Sequence, residues 1–361
     1  MTDNMTDNIT ADSMTSLERL IAWLEGKPYD RILINPMLGE HAANVIGIKA
    51  SEYNLSAEKM AEAQIAAYRT YGHDFVGTGP GQAAVPEAIG SVLDFPDYST
   101  PYVKQPVINE ISDLDRLTIP NPHKDGRLPL FLEATNIIID EVGKEAPVGT
   151  ILGGPFTTAS SIRGTDKLLK DIYLNPEFVH KLLEFTLSSI ISFAKEIAKT
   201  GSSICIVDPV SSGSLISPKV FRDISYPYLK RFIAAISEFS SPPTLHVCGN
   251  TKKILNDLAD SGAGVLSIDN SLDLEEVKNT IGHKIPITGN VHPTDVMFQG
   301  TPKLVETTVK ESLKKAYDSP KGYILGLGCG LPIPTPPENI HALVNAGKKY
   351  GRYPYDPELF E

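Results

Sequence analysis

Eight short apolar runs, most of them separated by longer stretches of helical periodicity, constrain this chain more than any other feature of its 361 residues. The runs are Arg31–Asn35, Asp74–Thr78, Val148–Gly153, Ser203–Asp208, Pro243–Cys248, Val265–Asp269, Ile285–Asn290 and Tyr323–Gly328. Each reads as a buried β-strand. Between most of them lies an amphipathic helix. Ala57–Tyr71 ends at Gly72, a favourable C-cap residue. Pro176–Lys199, Pro218–Phe239, Thr251–Ser261, Pro302–Ala316 and Pro336–Gly347 follow, and Pro at or near the first helical position marks several of these starts. Eight strands with intervening helices predict an α/β fold, a (β/α)8 TIM barrel. Gly79 to Asn121, rich in Gly and Pro, is an insertion after the second strand. The polar N-terminus, residues 1–14, is expected to be a disordered tail, and residues 15–361 a single domain.

The barrel carries its own expectation about function, because active sites of this fold sit at the C-terminal ends of the strands. Polar residues fall there. Asp208 ends the fourth run, His246 and Cys248 the fifth, Asp269 the sixth and Asn290 the seventh, and Cys329 follows the eighth. Packing alone does not require apolar runs to end in Asp, His, Asn and Cys.

On a strand, residues i and i+2 share a face. His246 and Cys248 can therefore reach one point, and Cys329 can reach it from another strand. Taken singly, each is accounted for as a core histidine or a small buried thiol. Together, one imidazole and two thiolates form a soft set suited to Zn²⁺, with a fourth position left for substrate. A structural zinc would want a fourth Cys or His nearby. The remaining cysteine, Cys205, lies on the opposite face from Asp208 and is expected to belong to the barrel wall. Zinc with two thiolates and a neutral imidazole is electron-rich, a weak activator of water but well suited to binding a thiol and lowering its pKa. That favours alkyl transfer to sulfur over hydrolysis.

Asp208 and Asp269 are candidate catalytic carboxylates that can orient a ligand or accept a proton, with helix-cap or turn roles as the plainer account. Asn290 is grouped with them. His292 is a candidate contact to substrate or to the metal ligands, or a loop residue. In Gly77-Thr78-Gly79-Pro80-Gly81, Gly77 and Gly79 either let backbone approach a bulky ligand or only turn the chain. The run matches no Walker or dinucleotide pattern. The formal net charge of −11, without a block of Lys or Arg, argues against a nucleic-acid partner. No apolar run approaches 18 residues, so no membrane span is expected. Three cysteines and no apolar signal core point to a reducing cytoplasm. The oligomeric state is open.

With these segments in hand, the chain resembles the uroporphyrinogen decarboxylase superfamily, and within it the methylcobamide:coenzyme M methyltransferases. The carrying segments are Ile206-Val207-Asp208-Pro209-Val210, Ser217-Pro218 and Leu245-His246-Val247-Cys248-Gly249-Asn250. Gly289-Asn290-Val291 and Gly328-Cys329-Gly330, with Thr335-Pro336-Pro337-Glu338-Asn339-Ile340, continue the match. Gly153-Gly154-Pro155-Phe156-Thr157 carries a looser one. The resemblance implies a barrel with zinc on His246, Cys248 and Cys329, and methyl transfer between a methylated corrinoid protein and a thiol such as coenzyme M. The Asp-x-His-x-x-Gly cobalamin motif is absent, so the corrinoid has to arrive on a partner protein. Decarboxylases of the superfamily carry an Arg-rich N-terminal motif for a polyanionic substrate, whereas this chain has no Arg between Arg31 and Arg69. A lyase acting on a porphyrinogen is thus disfavoured. An O-demethylase-type transfer from a methoxylated compound to a corrinoid protein, and a corrinoid-protein docking module with a structural zinc, are the other readings.

Overall fold

The computed structural model describes residues 12–79 and 81–360. All eight expected runs form strands: β1 Ile34–Asn35, β2 Val76–Thr78, β3 Val148–Gly153, β4 Ser203–Val207, β5 Thr244–His246, β6 Val265–Ser267, β7 Ile287–Val291 and β8 Tyr323–Leu327. They make one parallel sheet in the order β1-β8-β7-β6-β5-β4-β3-β2, curled into the expected (β/α)8 barrel. Alternate residues face the helices; Ile204, Ile206, Leu245, Leu266 and Ile287 are fully buried there.

Between β1 and β2 there is no strand ladder. The seam is closed by Asp74, whose amide donates to the Ile34 carbonyl at 2.9 Å while its Oδ2 accepts from the Ile34 amide at 2.7 Å. The same carboxylate receives Arg19 Nη1 at 2.6 Å and Arg31 Nη1 at 2.7 Å. Arg31 also binds Asp12, and the Ser13 and Met14 amides donate to Asp30. Within residues 1–14, expected as a tail, residues 12–14 are thus held by charge-assisted bonds. The remainder of that segment lies outside the described residues.

The helices follow their apolar periodicity. Ala57–Tyr71 starts at Ser56, whose hydroxyl accepts from the Lys59 amide, and ends at Gly72 in the left-handed region. Pro176–Lys199 is one unbroken helix that buries Phe178, Leu182, Leu183, Ile190, Phe193 and Ile197. Each such side chain contributes roughly 1.5–3 kcal/mol of burial. Pro218–Phe239, expected as one helix, is instead divided. A π-turn at Phe221–Ser225 separates Pro218–Val220 from Tyr226–Ser237. Pro227 is the physical reason, since its ring clashes with the carbonyl four residues earlier and it has no amide to donate. The insertion after β2 contains a helix, Gly81–Ile89, and an antiparallel hairpin, Val92–Asp94 with Tyr102–Gln105. Among the described residues, no helix is long and apolar enough to cross a membrane.

Candidate metal centre

β5 ends at His246, and Cys248 follows two residues later on the same face. The turn beyond is made by Gly249 at φ 74°, a conformation that favours glycine. Its amide donates to Asp269 Oδ2 at 2.7 Å, so the loop after β6 holds the loop after β5. Cys329 enters from beyond β8. The ligand atoms of His246, Cys248 and Cys329 lie within 4.8 Å of one another, with His246 buried and both cysteines half-buried. His246 Nε2 is 3.0 Å from Cys248 Sγ, which is 3.6 Å from Cys329 Sγ.

This donor set fits a zinc ion. Bonds of about 2.0–2.3 Å in a tetrahedron set ligand atoms roughly 3.5–3.8 Å apart; the 3.6 Å between the two sulfurs matches this, and the 3.0 Å from His246 Nε2 to Cys248 Sγ is shorter. The charge state points the same way. The Cys248 thiol is pushed up by its hydrogen bond to Cys329, by burial and by the negative charges of Cys329 and Asp269. The Cys329 thiol is held down by hydrogen bonds from Cys248 and His246. Two sulfurs this close cannot both ionise without a cation between them.

Ser267, which sequence reasoning missed, completes the set. It is the register partner of His246, and its Oγ lies 3.0 Å from His246 Nδ1. A hydrogen bond from Nδ1–H to this hydroxyl leaves the Nε2 lone pair for a metal. The signal was present in Val265-Leu266-Ser267-Ile268-Asp269, where Ser267 and Asp269 alternate with aliphatic residues and share the inward face.

The other expected site residues hold the loops of the mouth. Asp269 is buried; besides Gly249 it accepts from the Ser271 amide at 2.8 Å. Asn290 Nδ2 donates to the carbonyls of Asp269 and Leu272. Asp208 is not brought to the metal group. It lies on the opposite face of its strand from Val207 and is fully buried. Its Oδ1 accepts from the Thr157 amide and hydroxyl and its Oδ2 from the Ser211 hydroxyl. Burial pushes the Asp208 carboxyl up, against those hydrogen bonds. It caps the Pro155–Arg163 helix, the plainer of its two readings. His292 likewise caps Pro293–Phe298, accepting at Nδ1 from the Thr294 and Asp295 amides. It lines a groove against Thr308, Glu311 and Lys315. Gly77 allows close strand approach, since a Cβ there would sit 2.8 Å from the Gly149 carbonyl. Gly77 and Gly79 line a cavity inside the barrel, as does Cys205.

The family model described as uroporphyrinogen decarboxylase (URO-D) matches residues 15–350. The chain belongs to the uroporphyrinogen decarboxylase family. Within that family it is similar to a methylcobamide:CoM methyltransferase, MtbA, of Methanosarcina mazei, at 31% identity over 344 residues, 93% of this chain and 98% of the relative. The MtbA of Methanosarcina acetivorans is 30% identical over 343 residues, with the same shares covered. A solved structure described as a methyltransferase from Methanosarcina mazei matches with a TM-score of 0.85 at 28% identity, over 94% of this chain and 99% of that one. This family member therefore shares its barrel and nearly its whole length with those methyltransferases.

Proposed function

We propose that this chain transfers a methyl group between a corrinoid carried by a partner protein and the sulfur of a small thiol, at a zinc centre formed by His246, Cys248 and Cys329. One observation carries the reading: a His–Cys–Cys group at the C-terminal mouth of a barrel that aligns along nearly its whole length with relatives named methylcobamide:CoM methyltransferases. Zinc bound there would favour the thiolate form of a substrate thiol and fix its sulfur. The residues around it set the geometry. Ser267 holds the His246 tautomer, Asp269 holds the Cys248 turn through Gly249, and Asn290 holds the loop that carries Asp269. In the transfer the thiol sulfur bonds the methyl carbon as the carbon–cobalt bond breaks. The electron pair of that bond stays on cobalt, which passes from Co(III) to Co(I), and the thiol proton passes to solvent.

Decarboxylation of a porphyrinogen finds less support. Gripping many substrate carboxylates needs cations aimed into the mouth. The buried arginines Arg19, Arg31, Arg127 and Arg163 are instead each paired with carboxylates of the chain itself.

The test is a methyl-transfer assay with zinc-loaded protein, free methylcobalamin and a panel of thiols, read from the cobalamin spectrum. The expected result is thiol-dependent loss of methylcobalamin, abolished together with bound zinc in Cys248→Ser and Cys329→Ser. Full zinc content in both variants after mild chelation would overturn the ligand set. Transfer only from a methoxylated compound to cob(I)alamin would overturn the thiol as acceptor.

A further inference from the structure

His246 sits on β5, and the turn after Cys248 is tied to Asp269 through the Gly249 amide. Cys329 has no such neighbour. It lies past the end of β8 between two glycines, Gly328 and Gly330, and a Cβ at Gly330 would meet nothing within 4 Å. Upstream, the Gly328 amide donates to the Val291 carbonyl at 2.9 Å. Downstream, the chain reads Leu331-Pro332-Ile333-Pro334-Thr335-Pro336-Pro337. Each proline fixes its own φ and restricts the residue before it, so this segment is stiff. The Thr335 amide and hydroxyl lock it further, both donating to the Pro332 carbonyl, at 3.0 and 2.7 Å. A stiff segment goes where its anchor puts it.

The anchor is the Ile333 carbonyl. It accepts from His41 Nδ1 at 2.8 Å and from Asn44 Nδ2 at 2.6 Å, whereas the Leu331 amide reaches the Met37 carbonyl at a longer 3.3 Å. All three partners belong to the loop and short helix after β1. Asn44 is exposed, and His41 is fully buried. A carbonyl can only accept, so His41 carries its proton on Nδ1. Burial pushes the imidazole down from its ordinary value, which keeps it neutral at pH 7. Its Nε2 then accepts from the Tyr71 hydroxyl at 3.0 Å. Tyr71 also meets His341 edge-on, on the Pro337–Tyr350 helix that follows the proline segment. Both ring nitrogens are thus satisfied in one tautomer and one orientation.

We propose that His41 is a positioning residue for the metal centre: through the Ile333 carbonyl it holds the proline-stiffened segment that sets Cys329 against His246 and Cys248. The inference rests on the reading of these three side chains as a zinc set. His246 and Cys248 come from one strand end, so their spacing is local. Cys329 comes from another strand and has to be delivered to them. Gly330 lets the chain move between Cys329 and Leu331, and the hold at Ile333 takes that freedom away. Without it the third donor is free to swing off the metal, and a site left with one nitrogen and one sulfur binds zinc more weakly.

The experiment measures zinc affinity of the full-length protein by chelator competition, and the sulfur-to-cobalt charge-transfer band with Co²⁺ in place of zinc. His41→Phe keeps the ring volume and removes the donor. It should weaken zinc about tenfold or more, the scale at which partners that orient metal ligands act, and lower the band per bound cobalt. His41→Asn, whose amide can stand where Nδ1–H stands, should recover both to within about threefold of the unmodified protein. Glu40→Gln changes the neighbouring residue of the same turn, whose carboxyl faces Asn54 and Arg127 rather than the proline segment, and should alter neither readout. Unchanged affinity and band in His41→Phe, or an equal loss in Glu40→Gln, would overturn the positioning role while leaving the metal centre standing. An unmodified protein that shows no sulfur-to-cobalt band would overturn the zinc set on which the inference rests. Should His41→Phe not fold, Asn44→Asp tests the same carbonyl from an exposed position by replacing a donor with an acceptor. Zinc affinity should then fall at least threefold, and no change would overturn the inference.

Discussion

His246 Nδ1 lies 3.0 Å from Ser267 Oγ, across register partners on two adjacent barrel strands. The imidazole is thus oriented by a neutral hydroxyl rather than a carboxylate. A hydroxyl that accepts from Nδ1–H fixes the ring and turns its Nε2 toward the two sulfurs, where it can donate to a metal.

Ser267→Ala should therefore weaken zinc binding by about 10–100-fold while leaving the fold intact. Competition with a chromophoric chelator measures this directly. Unchanged zinc affinity would show that His246 is oriented by packing alone.

The seam between β1 and β2 gives a stability prediction. Asp74 is fully buried, closes the strands through Ile34 and accepts from both Arg19 and Arg31. Asp74→Asn keeps the shape but leaves two buried guanidinium groups short of a counter-charge. It should cost about 3–5 kcal/mol, seen as a lower midpoint in denaturant unfolding. A loss under 1 kcal/mol would mean that Asp30 and Asp12, the other partners of these arginines, suffice.

A pH prediction follows from Glu40, in the loop after β1. Burial pushes its carboxyl from 4.5 up to about 7, opposed by hydrogen bonds from its own backbone and from Asn54 and by the charge of Arg127. One of its oxygens, Oε1, has no hydrogen-bond partner. Between pH 4.5 and 7 the folded state holds a proton here that the unfolded state has released, so stability from this group falls as pH rises through that window. The loss amounts to roughly 3 kcal/mol by pH 8. Glu40→Gln, which cannot ionise, should therefore be more stable than the parent at pH 8 and equal to it below pH 4. Thermal unfolding at both values checks it, and a variant less stable at pH 8 would refute the direction.

The strands and the His246–Cys248–Cys329 grouping were legible in the chain because aliphatic runs and a His-x-Cys spacing are local. The barrel needs the runs buried, and the i, i+2 rule aligns His246 with Cys248 before any tertiary contact is known. What was not legible depended on three dimensions. Ser267 became a partner of His246 only through the β5–β6 register. Asp208 reads as a strand-end carboxylate like Asp269, yet one step of alternation turns it to the helix side, where Thr157 and Ser211 take it up. The seam role of Asp74 is invisible because nothing in its neighbourhood says that β1 and β2 lack a ladder. Pro227 was readable in principle, since proline inside a helical pattern forces a break or a bulge, as the π-turn before it shows.

The last prediction concerns how thiol and metal meet. The chain supplies one nitrogen and two sulfurs, from His246, Cys248 and Cys329. Asp269 is close enough for its charge to act on Cys248, but both its oxygens accept from backbone amides, of Gly249 and Ser271. The acceptor thiol should therefore add to the three side chains rather than displace one. Zinc-edge X-ray absorption should then count two sulfur neighbours before the thiol and three after it. Proton release should accompany binding at pH 7, because a free thiol of pKa about 8.5 is mostly protonated there. A count that stays at two with every thiol tried would refute thiol activation. The His–Cys–Cys group would then be left to act on an oxygen, as in transfer from a methyl ether to the corrinoid, and the same spectra recorded with a methoxylated compound would show a light-atom neighbour in place of the third sulfur.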